Sequence, residues 1–243
     1  MLLARGTYLQ FLDSDDWLTP DATESLAEAA RADDCDLVVA DFYRVNGKRY
    51  VEKKHIKKTH VMTREEFAME MAENPADFYY GVMWNKLCRK SILLEHQIQC
   101  DTSMNWCGDF VLKLQMIRHA ERFRALQKPI YYYMKRKGSL VSTEAVSTEA
   151  VKVKFELLEK YRDLYQSIGL YEEHKLKINS YILAVAKDGA AGVMTPKSKK
   201  LSPENVIPDK EKPGYQHVEH TFEPVYDENS EILILGTFPS VKS

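Results

Sequence analysis

The segment Thr7-Tyr-Leu-Gln-Phe-Leu12 runs straight into Asp13-Ser-Asp-Asp16-Trp17. The first part is short, apolar and rich in strand formers, so it predicts a buried strand. Three acids at the end of such a strand repel one another, and a cation would neutralise them. Side chains alternate along a strand, so Asp13 and Asp15 point the same way. Hard carboxylate oxygens at this density suit Mg²⁺ or Mn²⁺, ions that keep waters and bind substrate phosphates. The spacing leaves a second reading open, in which Asp15 and Asp16 only begin a turn before a helix.

The chain has 243 residues, with 34 basic and 36 acidic side chains for a net charge of −2. Residues 1–41 hold ten acids and two bases, whereas 44–60 and 118–137 each hold seven bases and one acid. The near-neutral total argues against a general nucleic-acid coat, so nucleic acid is not an expected partner. An acidic cluster with separate basic segments suits a metal ion plus an anionic ligand. Taken one at a time, the segments also fit solvated faces of alternating sign. A composition 44% hydrophobic and 29% charged predicts one or two globular domains and excludes collagen, coiled coil and wholesale disorder. No run of about 18 apolar residues offers a membrane span. The opening residues lack a basic stretch followed by an apolar one, which predicts no signal peptide. Cys35, Cys88, Cys100 and Cys107 form no Cys-x-x-Cys pair, and free thiols in a reducing cytoplasm are expected.

Thr19-Pro20-Asp21 predicts a helix start, with Thr19 as cap, and a helix to about Asp33. Asp36–Tyr43 reads as a second strand, and Asn46-Gly47 as a two-residue hairpin turn. Thr63-x-x-Glu66 is a capping-box pattern opening a helix to about Glu73. Helices are also expected over 84–96 and 109–119. Short strands are expected at Phe123–Leu126 and Ile130–Met134, around Pro129. Leu157, Tyr161, Leu164 and Ile168 share one helix face, and Gly169 separates that helix from another ending near Lys187. Val-Ser-Thr-Glu-Ala occurs twice, at 141–145 and 146–150, as a local duplication too short for a solenoid. Residues 189–216 lose apolar periodicity and read as a linker. Glu231-Ile-Leu-Ile-Leu-Gly236 is a buried-strand pattern. It either pairs with the main body or opens a further domain.

Ala4–Asp21 resembles the Asp-x-Asp segment of family 2 glycosyltransferases. In the same order, Trp84-Asn-Lys-Leu87 resembles that family's Trp-Asn-Lys segment. Asn105-Trp-Cys-Gly-Asp-Phe110 resembles its Trp-Gly-Glu-Asp-Phe segment. Tyr131-Tyr-Tyr133 through Gly138-Ser-Leu140 resembles its tyrosine-rich segment. The resemblance covers about residues 4–185 and implies a GT-A fold that inverts at the anomeric carbon. It implies a nucleotide-sugar donor, commonly a UDP-sugar, and a glycan or lipid-linked acceptor in bacterial surface-polysaccharide synthesis. By resemblance, Asp13 sits near the donor nucleotide, and Asp15 with Asp13 binds Mn²⁺ or Mg²⁺. Asp109 is the general base, although its place at a helix start equally suits a cap. Lys135 and Arg136 either lie along the diphosphate or form a solvated basic loop. The chain departs from the family in having Gly108 where the family has Glu. Twelve residues precede Asp13, where the resemblance implies a longer nucleotide-binding region, so a truncated transferase with weakened activity is expected. Location is expected to be cytoplasmic, with peripheral association at the inner membrane face as an option.

His217–Tyr226 and Ile232–Ser243 resemble the opening of the uracil-DNA glycosylase superfamily, including its mismatch and deoxyinosine members. The strand and Gly236-Thr-Phe-Pro-Ser240 resemble that superfamily's first active-site loop, implying base flipping and glycosidic cleavage. His217 and His220 read as surface histidines. The expected architecture is therefore α/β, a partial GT-A fold (Rossmann-like, mixed sheet) over 1–188 that ends in a helical hairpin. A linker over 189–216 and a tail over 217–243 carrying an isolated strand follow.

Overall fold

The apolar run after Asp36 forms β3 (Leu37–Asn46), whose first four residues have no exposed surface. A strand buried on both faces needs neighbours on both edges. β6 (Phe123–Met134) lies along one edge in parallel. β5 (Lys86–Arg89) and β4 (Arg49–Lys53) share the other edge, both antiparallel. β1 (Tyr8–Asp13) pairs antiparallel with β5, and β2 (Trp17–Leu18) pairs antiparallel with β6. With β7 (Ile232–Thr237) on the outer edge, the seven-stranded mixed sheet runs β2-β6-β3-β5-β1-β7, with β4 beside β3. The helices are α1 (Ala22–Ala32), α2 (Arg64–Glu73), α3 (Phe78–Gly81), α4 (Lys90–Glu95) and α5 (Gly108–His119). The hairpin α6 (Thr148–Ser167) and α7 (Tyr171–Lys187) follows, turning at Gly169, whose φ of 75° suits a residue without Cβ. This computed structural model describes residues 4–14, 16–46, 49–74, 78–99, 108–134, 148–187 and 232–237.

The mixed α/β fold is the one expected, and four local differences have physical causes. The helix expected over 84–96 is instead β5 followed by the short α4. Leu87 and Cys88 are fully buried between β1 and β3, so tertiary pairing overrides local helix propensity. The two strands expected around Pro129 are one strand. Pro129 sits opposite Asp41 at a register shift, where its missing N–H costs no regular ladder bond. Thr19 does not cap α1: the N-cap position is Asp21, and the Thr19 hydroxyl donates to the Asp21 carboxylate at 2.9 Å.

The fourth difference concerns the strand expected to be isolated. It is β7 (Ile232–Thr237), paired in parallel with β1 from Tyr8↔Ile232 to Asp13↔Thr237. An apolar strand leaves N–H and C=O groups unsatisfied, and the free edge of β1 satisfies one row of them. Pairing with the main body is therefore the arrangement present. Residues 189–216, His217, His220 and the Phe238–Ser240 turn lie outside the described residues.

Candidate active site

β1 delivers Asp13 to the end of the sheet, half-buried. The turn that follows is fastened by its own acids and one tyrosine. The Asp16 amide donates to the Asp13 carbonyl at 3.1 Å. The Asp13 amide donates to the Tyr131 hydroxyl at 3.1 Å, and that hydroxyl donates to Asp16 Oδ2 at 2.9 Å. Asp16 Oδ1 accepts from the Met134 amide at 2.7 Å. Asp16 is thus committed to holding the turn on β6. Tyr131 is buried, and burial together with the nearby Asp16 and Asp13 carboxylates pushes its hydroxyl far above its ordinary pKa. It stays protonated and remains a donor.

Trp84 stacks on the Tyr131 ring, with centroids 4.2 Å apart and planes 16° apart. It also stacks on Tyr133 at 5.5 Å and meets Phe42 edge-on at 4.8 Å. The acidic turn is therefore packed through Tyr131 against the 79–86 turn. α3, which opens that turn, packs against α5, the helix that carries Asp109. Burial is the largest influence on Asp109 and raises its pKa, while Met83 and Lys86 pull it down. Asp109 is the second residue of α5 rather than the residue before it. A carboxylate with a raised pKa at a helix N-terminus can accept a proton from a ligand hydroxyl.

Asn85 anchors this arrangement to the central strand. Its Nδ2 donates to the Ala40 carbonyl at 3.0 Å, and its own carbonyl accepts from the Ala40 amide at 2.9 Å. Contacts thus run from Asp13 through Tyr131 to Trp84, in the segment whose α3 packs against α5.

Asp15, Lys135 and Arg136 lie outside the described residues. Among the described residues no group of three or more histidine, cysteine or acidic side chains could hold a metal ion. The Asp16 carboxylate is engaged by Tyr131 and Met134, and Asp13 stands beside it at the end of β1. A hard carboxylate oxygen of this kind fits Mg²⁺ or Mn²⁺, which need one or two carboxylates beside waters and phosphates. Cys35 and Cys88 are buried free thiols, and burial pushes them up to about 11 and about 12. No described helix is long and apolar enough to cross a membrane.

Residues 1–96 match the family model "Glycosyl transferase family 2". Bacillus subtilis (strain 168) EpsJ, described as an uncharacterized glycosyltransferase, is 27% identical over 139 residues, covering 56% of this chain and 40% of its own length. The poly(ribitol-phosphate) beta-glucosyltransferase of Bacillus spizizenii is 24% identical over 182 residues, covering 74% of this chain and 27% of its own. S. aureus TarS 1–349, crystallised with UDP-GlcNAc, superposes with a TM-score of 0.54 at 23% identity, covering 74% of this chain and 49% of that chain. The fold is the one seen in that structure. The chain spans about half or less of the length of these relatives.

Several residues of the network escape a reading by motif alone. Asp16 reads as a turn residue, and its bracing of β6 needs the partner strand. Trp84, Asn85 and Lys86 stand out as a segment, but the segment does not say what each one touches. Their signal is the run of large polar and aromatic residues beside Leu87-Cys88, where a buried lysine must find oxygens.

Proposed function

We propose that this chain carries the catalytic face of a glycosyltransferase that moves a sugar from a nucleotide-sugar donor to a hydroxyl of a glycan or lipid-linked acceptor. The observation that carries the reading is that the Tyr131–Trp84 stack joins the Asp13 turn at the end of β1 to the segment whose α3 packs against α5, the helix that carries Asp109. Asp109 accepts the acceptor hydroxyl's proton as that oxygen attacks the anomeric carbon, and the nucleoside diphosphate departs from the opposite face. Attack from the opposite face inverts the configuration. Asp13, with Asp15, is suited to hold Mn²⁺ or Mg²⁺. Such an ion would neutralise charge on the departing diphosphate. Tyr131 and Asp16 keep the Asp13 turn in place while the charge changes. The family match over residues 1–96 and the UDP-GlcNAc held by TarS support a UDP-sugar donor. The poly(ribitol-phosphate) enzyme supports a cell-surface polymer as acceptor. Lys135 and Arg136 are assigned to the diphosphate, and location to the cytoplasm or the inner membrane face.

The test is UDP release from a panel of UDP-sugars with glycan and polyol-phosphate acceptors. Asp109→Asn keeps the shape of the side chain and removes the base. It is expected to lower kcat by about 10²–10⁴-fold. An unchanged rate in Asp109→Asn would assign the proton to another group.

A further inference from the structure

The two residues of β2 serve opposite faces of the sheet. Leu18 packs on the main core, whereas Trp17 joins a second, smaller cluster with Tyr43, Val45, Tyr50, Tyr132 and Met134. The strand registers explain that cluster. Trp17 lies opposite Tyr132, Tyr132 opposite Tyr43, and Tyr50 opposite Val45. Residues directly opposite one another share a face, so β2, β6, β3 and β4 set these side chains on one side of the sheet. The rings form a stack. Trp17 lies on Tyr132 with centroids 5.2 Å apart and planes 19° apart, and Tyr132 lies on Tyr43 at 4.8 Å and 22°. Tyr50 meets Tyr43 edge-on at 4.9 Å.

Trp17 ends this stack. β2 is the outermost strand on its side of the sheet, and among the described residues the indole makes ring contact with Tyr132 alone. One face of the ring is therefore used, and the ring is only half-buried. Its N–H is buried and finds no acceptor among the described residues. An orphaned buried donor is costly, and a phenyl ring would fill the same place without that cost. What the indole adds is a wider electron-rich face, backed by two tyrosines. That face adjoins the candidate site. Asp16 directly precedes Trp17, and the Met134 amide that holds Asp16 Oδ1 at 2.7 Å belongs to a residue of the same cluster.

The neighbouring chemistry selects the ligand. An aromatic face attracts the weakly positive C–H groups on the face of a saturated ring. The Asp16 carboxylate has acceptor capacity beyond its Tyr131 and Met134 donors, and its charge disfavours an anion. A neutral pyranose offers C–H groups on its faces and donor hydroxyls around its rim. An acyclic polyol phosphate has no ring face and carries negative charge.

We propose that Trp17 is a stacking platform for a neutral pyranose of the acceptor, beside the turn that carries Asp13. The inference rests on the transferase reading above and narrows its acceptor to a glycan built of sugar rings.

The test is binding, without turnover, to the full chain. Each of the three tryptophans gives one indole ¹H–¹⁵N signal, and Trp17→Phe assigns that of Trp17 by removing it. Cellotetraose and chitotetraose are the probes, and ribitol 5-phosphate is the charged control without a ring. The Trp17 signal is expected to shift saturably with at least one oligosaccharide and to stay in place with ribitol 5-phosphate. Trp17→Ala is expected to weaken oligosaccharide binding about tenfold or more by calorimetry. Trp17→Leu keeps an apolar side chain without an aromatic face, and it decides the question should Trp17→Ala fail to fold. No saturable shift of the Trp17 signal with either oligosaccharide, an equal shift with ribitol 5-phosphate, or unchanged affinity in Trp17→Leu overturns the proposal. If the oligosaccharide binds through Trp17 while no UDP-sugar is consumed, the platform stands and the transferase reading fails.

Discussion

Asp41 has an environment unlike that of any other described acid. It lies in the middle of β3 with 1% of its surface exposed, and neither carboxylate oxygen makes a well-formed hydrogen bond among the described residues. Burial pushes its carboxyl up to about 7, while Lys54 and the His55 backbone amide pull the other way. The folded chain therefore holds this proton to higher pH than the unfolded chain does. Stability falls as pH rises from about 4 toward 7, by up to about 4 kcal/mol. Asp41→Asn removes that slope. Urea unfolding is expected to show the variant more stable than the natural chain at pH 8 and no more stable at pH 4. An equal gain at both pH values would place the effect elsewhere. Part of this is legible in the sequence, since an acid interrupts the apolar run Leu37-Val-Val-Ala40. What is not legible is that the β3–β6 register shifts at Asp41 and sets Pro129 opposite it.

At the scale of elements, local chemistry decided some structures and tertiary contacts the rest. The capping box of α2 belongs to the first group. The Glu66 amide donates to Thr63 Oγ1 at 3.2 Å, and the Thr63 amide donates to Glu66 Oε2 at 3.0 Å. Two orphan helix donors are satisfied by residues three apart, so the pattern is complete within the sequence. Thr63→Ala is expected to cost about 1 kcal/mol in urea unfolding, whereas an unchanged midpoint would show that α2 is held by its buried face alone. The hairpin α6–α7 is legible for the same reason, since Gly169 supplies the positive φ its turn requires. β5 was not legible. Lys86-Leu-Cys-Arg89 carries ordinary helix formers, and only pairing with β1 and β3 makes it a strand. The candidate site divides along the same line. Asp13 stands out because it ends a periodic strand, whereas Asp109 stands out only through the resemblance of Asn105–Phe110 to a family segment. Tyr131, Asp16 and Lys86 act through partners at distant positions that no local pattern specifies.

The whole molecule brings the end of β1 and α5 to the same segment, 79–86, although 96 residues separate Asp13 from Asp109. Antiparallel β1–β5 pairing brings the 79–86 turn beside the acidic turn, and the Trp84–Tyr131 stack closes the contact. β7 lies in parallel on the outer edge of β1, in register through Asp13. It covers a strand edge that would otherwise be open to another chain. The same pairing makes the far end of the chain a direct neighbour of the strand that carries Asp13. In the function proposed above, the Asp13 end of β1 receives a nucleoside diphosphate with a divalent cation. Calorimetric titration of UDP into the full chain with Mn²⁺ tests this most directly. Saturable binding is expected, weakening about tenfold or more in Asp13→Asn, a loss of at least about 1.4 kcal/mol. No saturable heat, or equal affinity in Asp13→Asn, would contradict it.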